Sequence, residues 1–287
     1  MLELDGDRTG LFRSIEGGSI KTDVMTYQNG ANYDRWRQLG KPKYEDLKMQ
    51  VGMSMTRPFY VWIKDFFTGV PTRKTGAICA ADFDYKERAR REFKGALIKE
   101  LMFPKLDAQD KAAAYMTVAV AVEDIVFKKG DNNKIAVGPG FNNQKIWSSN
   151  NFRLKIDGFD CKHVTKVDSF TIKQNIIEYH TGSQRAPIKT PSAVDFPNIA
   201  FYVPESKAEE FTKHFAKRGV KGELPGRFNG MIQMYDNGKA DTFTLTFKGA
   251  DFLSVTPDKS DATSEDIKQV KVEMYVESMS FTYHQAG

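Results

Sequence analysis

Alternation of apolar and polar residues is the dominant pattern along this chain. In residues 20–27 the alternate positions Ile20, Thr22, Val24 and Thr26 form one face. Residues 116–122 carry β-branched residues at alternate positions, with alanines opposite. Alternation with period two predicts β-strands, which β-branched residues also favour. The pattern predicts further strands over residues 2–4, 11–15, 47–53, 76–83, 89–97 and 115–127, and over residues 152–156, 164–179, 199–203, 230–235, 242–252 and 267–283. The chain is therefore predicted to be an α+β protein dominated by strands.

Helical periodicity occurs in two segments, residues 58–67 and residues 205–216. In the first, apolar side chains recur at the spacing of one helix face, and this stripe consists of Phe59, Trp62, Ile63 and Phe66. We expect the stripe to cover the barrel of its own domain, with Lys64 and Asp65 facing outward. In the second segment, Phe211 and Phe215 share a face, as residues four apart do in a helix.

The two halves of the chain resemble each other in sequence. Leu2-Glu3-Leu4-Asp5-Gly6 corresponds to Leu154-Lys155-Ile156-Asp157-Gly158 at an offset of 152 residues. Phe93-Lys94-Gly95-Ala96 corresponds to Phe247-Lys248-Gly249-Ala250 at an offset of 154 residues. Other matches in the same order pair Ile20 with Ile172, Tyr27 with Tyr179, Glu123 with Glu277 and Phe127 with Phe281. A period of this length is the size of a whole domain, not of a solenoid repeat.

The repeat predicts two tandem domains, residues 1–127 and residues 151–287. The linker between them, residues 128–150, is rich in Gly and Asn, a composition typical of connecting segments. Ile146 and Trp147 indicate that part of this linker docks on a domain.

Each predicted domain also contains a polar stretch without periodicity, at residues 28–43 and at residues 180–197. A segment of this length without a pattern favours an extended loop or arm over a core element. We expect the first arm, which contains Trp36, to be poorly ordered in isolated subunits and ordered in an assembly, since it has little apolar surface to bury.

Composition changes this picture little. The 287 residues are 40% hydrophobic and 28% charged, with a formal net charge of +5, which is typical of globular domains. The N-terminus lacks the apolar core of a signal peptide, so Sec export is not expected. Cys79 and Cys161 show no C-x-x-C pairing, which indicates two buried thiols in a protein folded in a reducing cytoplasm, not a disulfide framework or a zinc site.

The basic run at residues 86–91 has the sequence Lys-Glu-Arg-Ala-Arg-Arg, in which basic residues occupy alternate positions. This favours the solvated face of a strand over a phosphate-binding patch, because nucleic-acid modules add a recognisable fold motif to their basic charge. No such motif is evident in the sequence.

Candidate catalytic chemistry is sparse. The four histidines, His163, His180, His214 and His284, lack metal-ligand spacing, and the sequence contains neither a nucleophile elbow nor a phosphate loop. Asp82 and Asp84 lie two apart, on one face of a predicted strand, where a solvated face is favoured over a glycosidase pair. We therefore predict no catalytic, cofactor-binding or metal-binding residues, and no enzymatic activity.

The order of these motifs resembles the tail-tube protein family of contractile phages and phage-derived injection systems. The residues that carry the resemblance are Asp5-Gly6, Tyr27, Trp62-Ile63-Lys64-Asp65, Phe93-Lys94-Gly95-Ala96 and Glu123. The second half keeps the order of the motifs, but its helix, Phe211-Thr212-Lys213-His214-Phe215, lacks the Trp-Ile-Lys-Asp sequence. The resemblance implies two tandem tail-tube-like β-barrel or sandwich domains, each with one packed helix.

In this family, domains join edge to edge into rings of six around a channel, and the rings stack. The resemblance therefore implies a structural component of a contractile tail or injection machine, located in the virion tail or injection particle and assembled in the host cytoplasm. It implies self-association, contact with sheath and baseplate proteins, and passage of DNA or protein cargo through the lumen, without a membrane or cofactor.

Two arrangements of a duplicated chain stay open: a pseudo-sixfold trimer, as in a baseplate hub or tube initiator, and a sixfold ring with the second domain outside. A carbohydrate- or receptor-binding β-module of a virion, with Trp36 and Trp147 stacking on sugars, is a further alternative.

Overall fold

The long strands of this protein organise two similar halves. The computed structural model describes residues 1–28, 30, 35–53, 55–135, 147–183, 186–223, 227–238, 240–257 and 268–284. The strands of the first half are β1 (Leu2–Leu4), β2 (Asp7–Gly10), β3 (Ser14–Gly17), β4 (Ile20–Gln28), β5 (Arg35–Tyr44), β6 (Leu47–Val51), β7 (Lys74–Ala81), β8 (Glu87–Phe103), β9 (Leu106–Asp107), β10 (Met116–Ala121) and β11 (Asp124–Lys129). Helix α1 spans Arg57–Phe67, between β6 and β7.

The second half repeats this order. Its strands are β12 (Trp147–Ile156), β13 (Lys166–Val167), β14 (Phe170–Tyr179), β15 (Ile188–Asp195), β16 (Ile199–Pro204), β17 (Phe228–Asp236), β18 (Asp241–Pro257), β19 (Gln269–Tyr275) and β20 (Ser278–Tyr283). Helix α2 spans Glu209–Phe215, between β16 and β17, and is preceded by a 3-10 turn and followed by a π-helical turn. The predicted strand-dominated α+β fold with one helix in each half is confirmed.

Each half is built on one strand of 17 residues that belongs to two sheets. The first part of β8 pairs with β7 and β11, and its last part pairs with β10. In the same way, β18 pairs first with β17 and β20 and then with β19. A strand shared in this way rolls the two sheets around a common core, which gives each half its barrel-like form.

The duplication extends to the register of a hairpin in each half. In the first, β4 pairs with β5 so that Tyr27 faces Trp36, and a bulge interrupts the ladder after Thr22. In the second, β14 pairs with β15 so that Tyr179 faces Ile188, and the bulge follows Gln174. Every one of these positions is displaced by 152 residues, so the two hairpins are equivalent.

The polar arms are strands, which corrects the expectation of loops at residues 28–43 and 180–197. Most of the first segment forms β5 and part of the second forms β15. Selection favours a period-two pattern where one face of a strand is buried. Most of β5 is exposed on both faces, so its sequence shows no strand signal, whereas β4 alternates although it is exposed.

The predicted linker overlaps with strands at both ends. Residues 128–129 complete β11, and residues 147–150 begin β12. Trp147 is buried, whereas residues 136–146, which include Ile146, lie outside the described residues. The division into residues 1–127, 128–150 and 151–287 stays a prediction.

Helix α1 is buried on more than its predicted stripe. Phe59, Trp62, Ile63 and Phe66 are all buried, as expected, but Tyr60 and Phe67 are buried as well. Lys64 is exposed, whereas Asp65 is half-buried and accepts a hydrogen bond, so only Lys64 faces outward as predicted. A single core cluster contains residues of both halves.

Within the described residues, no helix combines the length and apolarity needed to cross a membrane.

Replacing Trp62 tests the role of the stripe. We predict that Trp62→Ala destabilises the protein by about 3–5 kcal/mol, because truncating a buried tryptophan leaves a cavity and removes its contacts. Such a loss is a large part of the roughly 5–15 kcal/mol that holds a domain folded. Lys64→Ala is the matched control and should melt within about 0.5 kcal/mol of the wild type. Chemical denaturation measures both, and equal stability of Trp62→Ala and wild type would contradict the assignment.

Candidate assembly interface

The two halves are joined by a hairpin that leaves its own half. The start of β14 pairs with the end of β8, so that Phe170 faces Phe103 and Ile172 faces Leu101. These four side chains are buried. The hairpin of the second half thus extends the sheet of the first half, which is the edge-to-edge addition that satisfies an otherwise open strand.

A charged pair of the first half grips the backbone of this hairpin. The Glu123 carboxylate accepts the backbone N–H of Lys189 at 2.8 Å, and the Arg73 guanidinium donates to the carbonyl oxygen of Lys189 at 2.6 Å. Arg73 and Glu123 lie 3.7 Å apart as an ion pair. Hydrogen bonds with a charged partner are stronger than neutral ones. We call Arg73 and Glu123 the first clamp.

Glu123 is held by the Phe-Lys-Gly-Ala motif. It lies at the break between β10 and β11, and its backbone N–H donates to the carbonyl oxygen of Lys94 at 2.9 Å. Gly95 has φ +62°, and a Cβ added there would collide with the Glu123 carboxylate. The glycine therefore provides both the left-handed backbone and the space that the glutamate occupies.

Arg73 is positioned by the Trp-Ile-Lys-Asp motif of α1. The Trp62 indole Nε1 donates to the carbonyl oxygen of Thr72 at 2.9 Å, and the Thr72 hydroxyl donates to the Asp65 carboxylate at 2.8 Å. Both bonds fix the residue directly before Arg73. Three of the motifs that carry the family resemblance thus converge on the clamp: Trp62-Ile63-Lys64-Asp65, Phe93-Lys94-Gly95-Ala96 and Glu123. Tyr27 is exposed on β4 and does not take part.

Aromatic side chains seal the same junction. Phe281 on β20 stacks on Phe67 of α1 at 5.8 Å between ring centroids and approaches Phe103 at 6.4 Å. Tyr60 stacks on Tyr283 at 4.0 Å. Aromatic pairs of this kind add to the free energy gained from burying their area. The helix of the first half is therefore packed against the second half as well as its own sheets.

Two surface features of the sequence have different roles from those predicted. Asp82 and Asp84 lie in the turn after β7 and not on a strand face, and the Asp82 carboxylate accepts the backbone N–H groups of Lys86 and Asp84. These bonds lower the pKa of Asp82. The pair closes a turn because aspartate side chains readily bond to the backbone two residues later.

The basic run is only partly a solvated face. Arg90 bonds to Glu3 at 2.6 Å and also pairs with Glu87 and Glu92, so three carboxylates compensate its charge. Pairing with Glu3 raises the pKa of Arg90. The surrounding carboxylates make this strand a poor phosphate-binding patch.

The histidines and cysteines form no shared centre in the part of the chain that the structure describes, where no group of three or more potential metal ligands occurs. His214 contacts Asp251 at 3.3 Å, and His284 contacts the Thr244 hydroxyl at 2.9 Å. Cys79 and Cys161 are free and buried, as predicted. Burial raises the pKa of Cys79 to about 11 and that of Cys161 to about 12.

Arg73 and Lys189 are the functional residues that sequence reasoning missed. Neither belongs to a motif, and Lys189 contributes only backbone atoms to the clamp. One signal was present for Arg73: Arg227 stands 154 residues later, at the offset shared by the Phe-Lys-Gly-Ala motifs.

A glycine substitution tests the packing of the clamp. We predict that Gly95→Ala destabilises the protein by about 1–2 kcal/mol from its backbone conformation and by about 1–3 kcal/mol more from the collision with Glu123. Gly6→Ala is the matched control, since Gly6 has φ +89° with nothing near its Cβ position, and should show only the first part. Adding Glu123→Ala to Gly95→Ala should recover the second part in a double-mutant cycle of melting experiments. Equal losses in Gly6→Ala and Gly95→Ala would refute the collision.

Comparison with known proteins gives one family match. Residues 1–126 match the family model described as T4-like virus tail tube protein gp19. A search of curated proteins gives no match. The resemblance predicted from the motifs is confirmed by this family match.

Solved structures of low identity also align with the chain. The sheath-tube complex of the PVC extracellular contractile injection system in its extended state is 19% identical, with a TM-score of 0.37, over 47% of this chain and 89% of that chain. The tube-terminating cap of the anti-feeding prophage is 17% identical, with a TM-score of 0.38, over 54% of this chain and 98% of that chain. The Hcp1 protein of E. coli EAEC 042 is 16% identical, with a TM-score of 0.27, over 46% of this chain and 89% of that chain. By the family match alone, residues 1–126 of this chain are similar to the T4-like virus tail tube protein gp19 family.

Proposed function

We propose that this chain is a structural component of a contractile tail or injection machine, forming rings that stack into its inner tube. The observation that carries the proposal is the convergence of three of the family's motifs on the junction between the two halves. Glu123 grips the hairpin directly, Gly95 makes room for it, and Trp62 and Asp65 fix the loop that holds Arg73. Motif residues placed at a junction serve assembly and not catalysis.

The proposal includes the partners of such a tube. We infer that rings of this chain contact sheath and baseplate proteins of the same machine, and that DNA or protein effectors pass through the lumen without specific binding. The particle assembles in the host cytoplasm, and the chain has no enzymatic activity of its own. The family match over residues 1–126 supports these inferences.

A baseplate hub, tube initiator or adaptor is the alternative position in the same machine. It is favoured by one observation: the two halves lie side by side in a continuous sheet, because β14 pairs with β8. Two halves arranged in this way are what a pseudo-sixfold trimer requires.

Of the two tryptophans that the sugar-binding alternative requires, one is buried. Trp36 is exposed on β5, but Trp147 is buried against Phe243. A buried indole offers no face to a ligand. The exposed Trp36 is consistent with a contact between subunits, where tryptophan is enriched.

Shortening the first hairpin tests stacking. We predict that replacing residues 28–35 with an Asn-Gly turn leaves a folded protein that forms rings but no long tubes. The protein still folds because the removed strand ends are exposed in the single chain, and Tyr27 and Trp36 remain as the pair that closes the turn. Negative-stain electron microscopy of purified protein distinguishes rings from tubes, and thermal melting is the control for folding. Long tubes from this variant would contradict a stacking role for the hairpin. Dispersed monomers from the wild-type chain at all concentrations would contradict the proposed function.

A further inference from the structure

We propose that a second copy of this chain docks its β4–β5 hairpin on the end of β18, repeating between chains the junction that joins the two halves. The inference rests on the proposed function and specifies how its ring closes. Its basis is that the receiving side of the junction exists twice in the chain, whereas among the described residues a strand of the same chain fills one of the two sites.

The clamp is present a second time. Arg227 pairs with Glu277, and both stand 154 residues after Arg73 and Glu123. The Glu277 backbone N–H donates to the carbonyl oxygen of Lys248 at 3.1 Å, as Glu123 does to Lys94. We call Arg227 and Glu277 the second clamp.

The glycine that accompanies the first clamp is repeated as well. Gly249 has φ +66°, and a Cβ added there would collide with the Glu277 carboxylate. The second clamp is therefore built with the same backbone geometry as the first. About half of each of its side chains is exposed, at 53% for Arg227 and 49% for Glu277.

The strand edge beside the second clamp is open in the described part of the chain. Residues 251–257 of β18 pair with β19 along one edge, and no described strand pairs with the other. The equivalent part of β8 has β10 on one edge and β14 on the other. Thr256 and Pro257 are exposed. An unpaired edge of this kind is a template for another strand.

The chain also carries the hairpin that fits this edge. Ile172 on β14 is 0% exposed because it lies in the junction, whereas its equivalent, Ile20 on β4, is 41% exposed. Phe281 is 2% exposed and its equivalent, Phe127, is 58% exposed. The same positions are thus buried where a neighbouring half covers them and exposed where none does. A second copy is the occupant that supplies both complementary surfaces at once.

The register of docking follows from the repeat. Applying the two offsets to the pairing of β14 with β8 places Ile20 opposite Val255, and Lys21 opposite Ser254, of the neighbouring copy. The equivalent of Lys189 is Arg37. In the docked hairpin the Arg37 backbone N–H would donate to the Glu277 carboxylate, and the Arg37 carbonyl oxygen would accept from the Arg227 guanidinium.

Such an interface joins different surfaces of two copies, so it produces a closed ring or an open filament. Since both halves of one chain occupy neighbouring positions in a continuous sheet, a ring of six family-type domains contains three chains. The arrangement with the second half outside a sixfold ring would leave both open surfaces without these partners.

Disulfide trapping tests the register. We expect Ile20→Cys combined with Val255→Cys to form a disulfide between chains, because directly opposed strand residues have Cα separations of about 4.5–5.5 Å, within the range that a disulfide spans. Ile20→Cys with Pro257→Cys is the matched control and is displaced by two residues, which places the pair about 7–8 Å apart. Ile172→Cys with Leu101→Cys is the positive control, since that pair is opposed within the chain.

The expected product of the in-register pair is a covalent trimer on a non-reducing gel, with little product from the displaced pair. Rings that contain three chains but give no in-register disulfide would overturn this interface while leaving the proposed function intact. Rings that contain six chains by native mass spectrometry would overturn the three-chain closure. Monomers without rings in the wild-type protein would overturn both proposals.

A second set of variants tests the clamp. Arg227→Ala and Glu277→Ala should each weaken ring formation about tenfold or more in a concentration series, because each removes a charge-assisted hydrogen bond to the docked strand. Lys248→Ala is the matched surface control and should assemble as the wild type does, since its contribution to the clamp is its backbone carbonyl. Melting of the unassembled chain should change little in all three. Unaltered assembly of both clamp variants would overturn the role of the second clamp.

Discussion

The structure depends on one requirement: the edge of a long strand must be paired. In each half a strand of 17 residues serves two sheets, and its last residues need a partner on the side that the sheets leave open. The first half finds that partner in the hairpin of the second half, held through its backbone by Arg73 and Glu123. Because the clamp contacts backbone atoms, it holds the hairpin in place without depending on the side chain of Lys189. The remaining features, including the glycine beside Glu123 and the bonds from α1 to Thr72, serve this contact.

The same requirement explains why apolar residues are exposed in one half and buried in the other. Ile20 and Phe127 are exposed in the single chain, whereas their equivalents, Ile172 and Phe281, are covered by the other half. A duplicated chain completes one junction internally and leaves one of each complementary surface at its two ends. We infer that assembly, and not a ligand, covers these surfaces.

Much of the fold could be predicted from the sequence, and the limits have physical causes. The strands with one buried face, such as β17, and the helix with the Trp62 stripe are specified by periodicity. The exposed strand β5 has no buried face and therefore no pattern. The sequence predicts Asp82 and Asp84 on a strand face, but they lie in a turn, because the backbone bonding of a turn leaves no periodic signal. Glu123 and Gly95 were identified as motif residues, but their contact was not, because it depends on where β8 and the break after β10 meet in space. Lys189 contacts the clamp only through its backbone N–H and carbonyl groups. Every residue except proline has both groups, so the residue type at this position carries no signal of the contact.

Hydrogen exchange measured by mass spectrometry on the assembled and the unassembled chain tests the central claim most directly. The account predicts that the segments around Ile20 and around Val255 gain protection together on assembly, because each supplies backbone hydrogen bonds to the other across two copies. The segments around Ile172 and Leu101, already paired within the chain, should be protected in both states. Assembled rings in which the segments around Ile20 and Val255 exchange as fast as in the free chain would contradict the account.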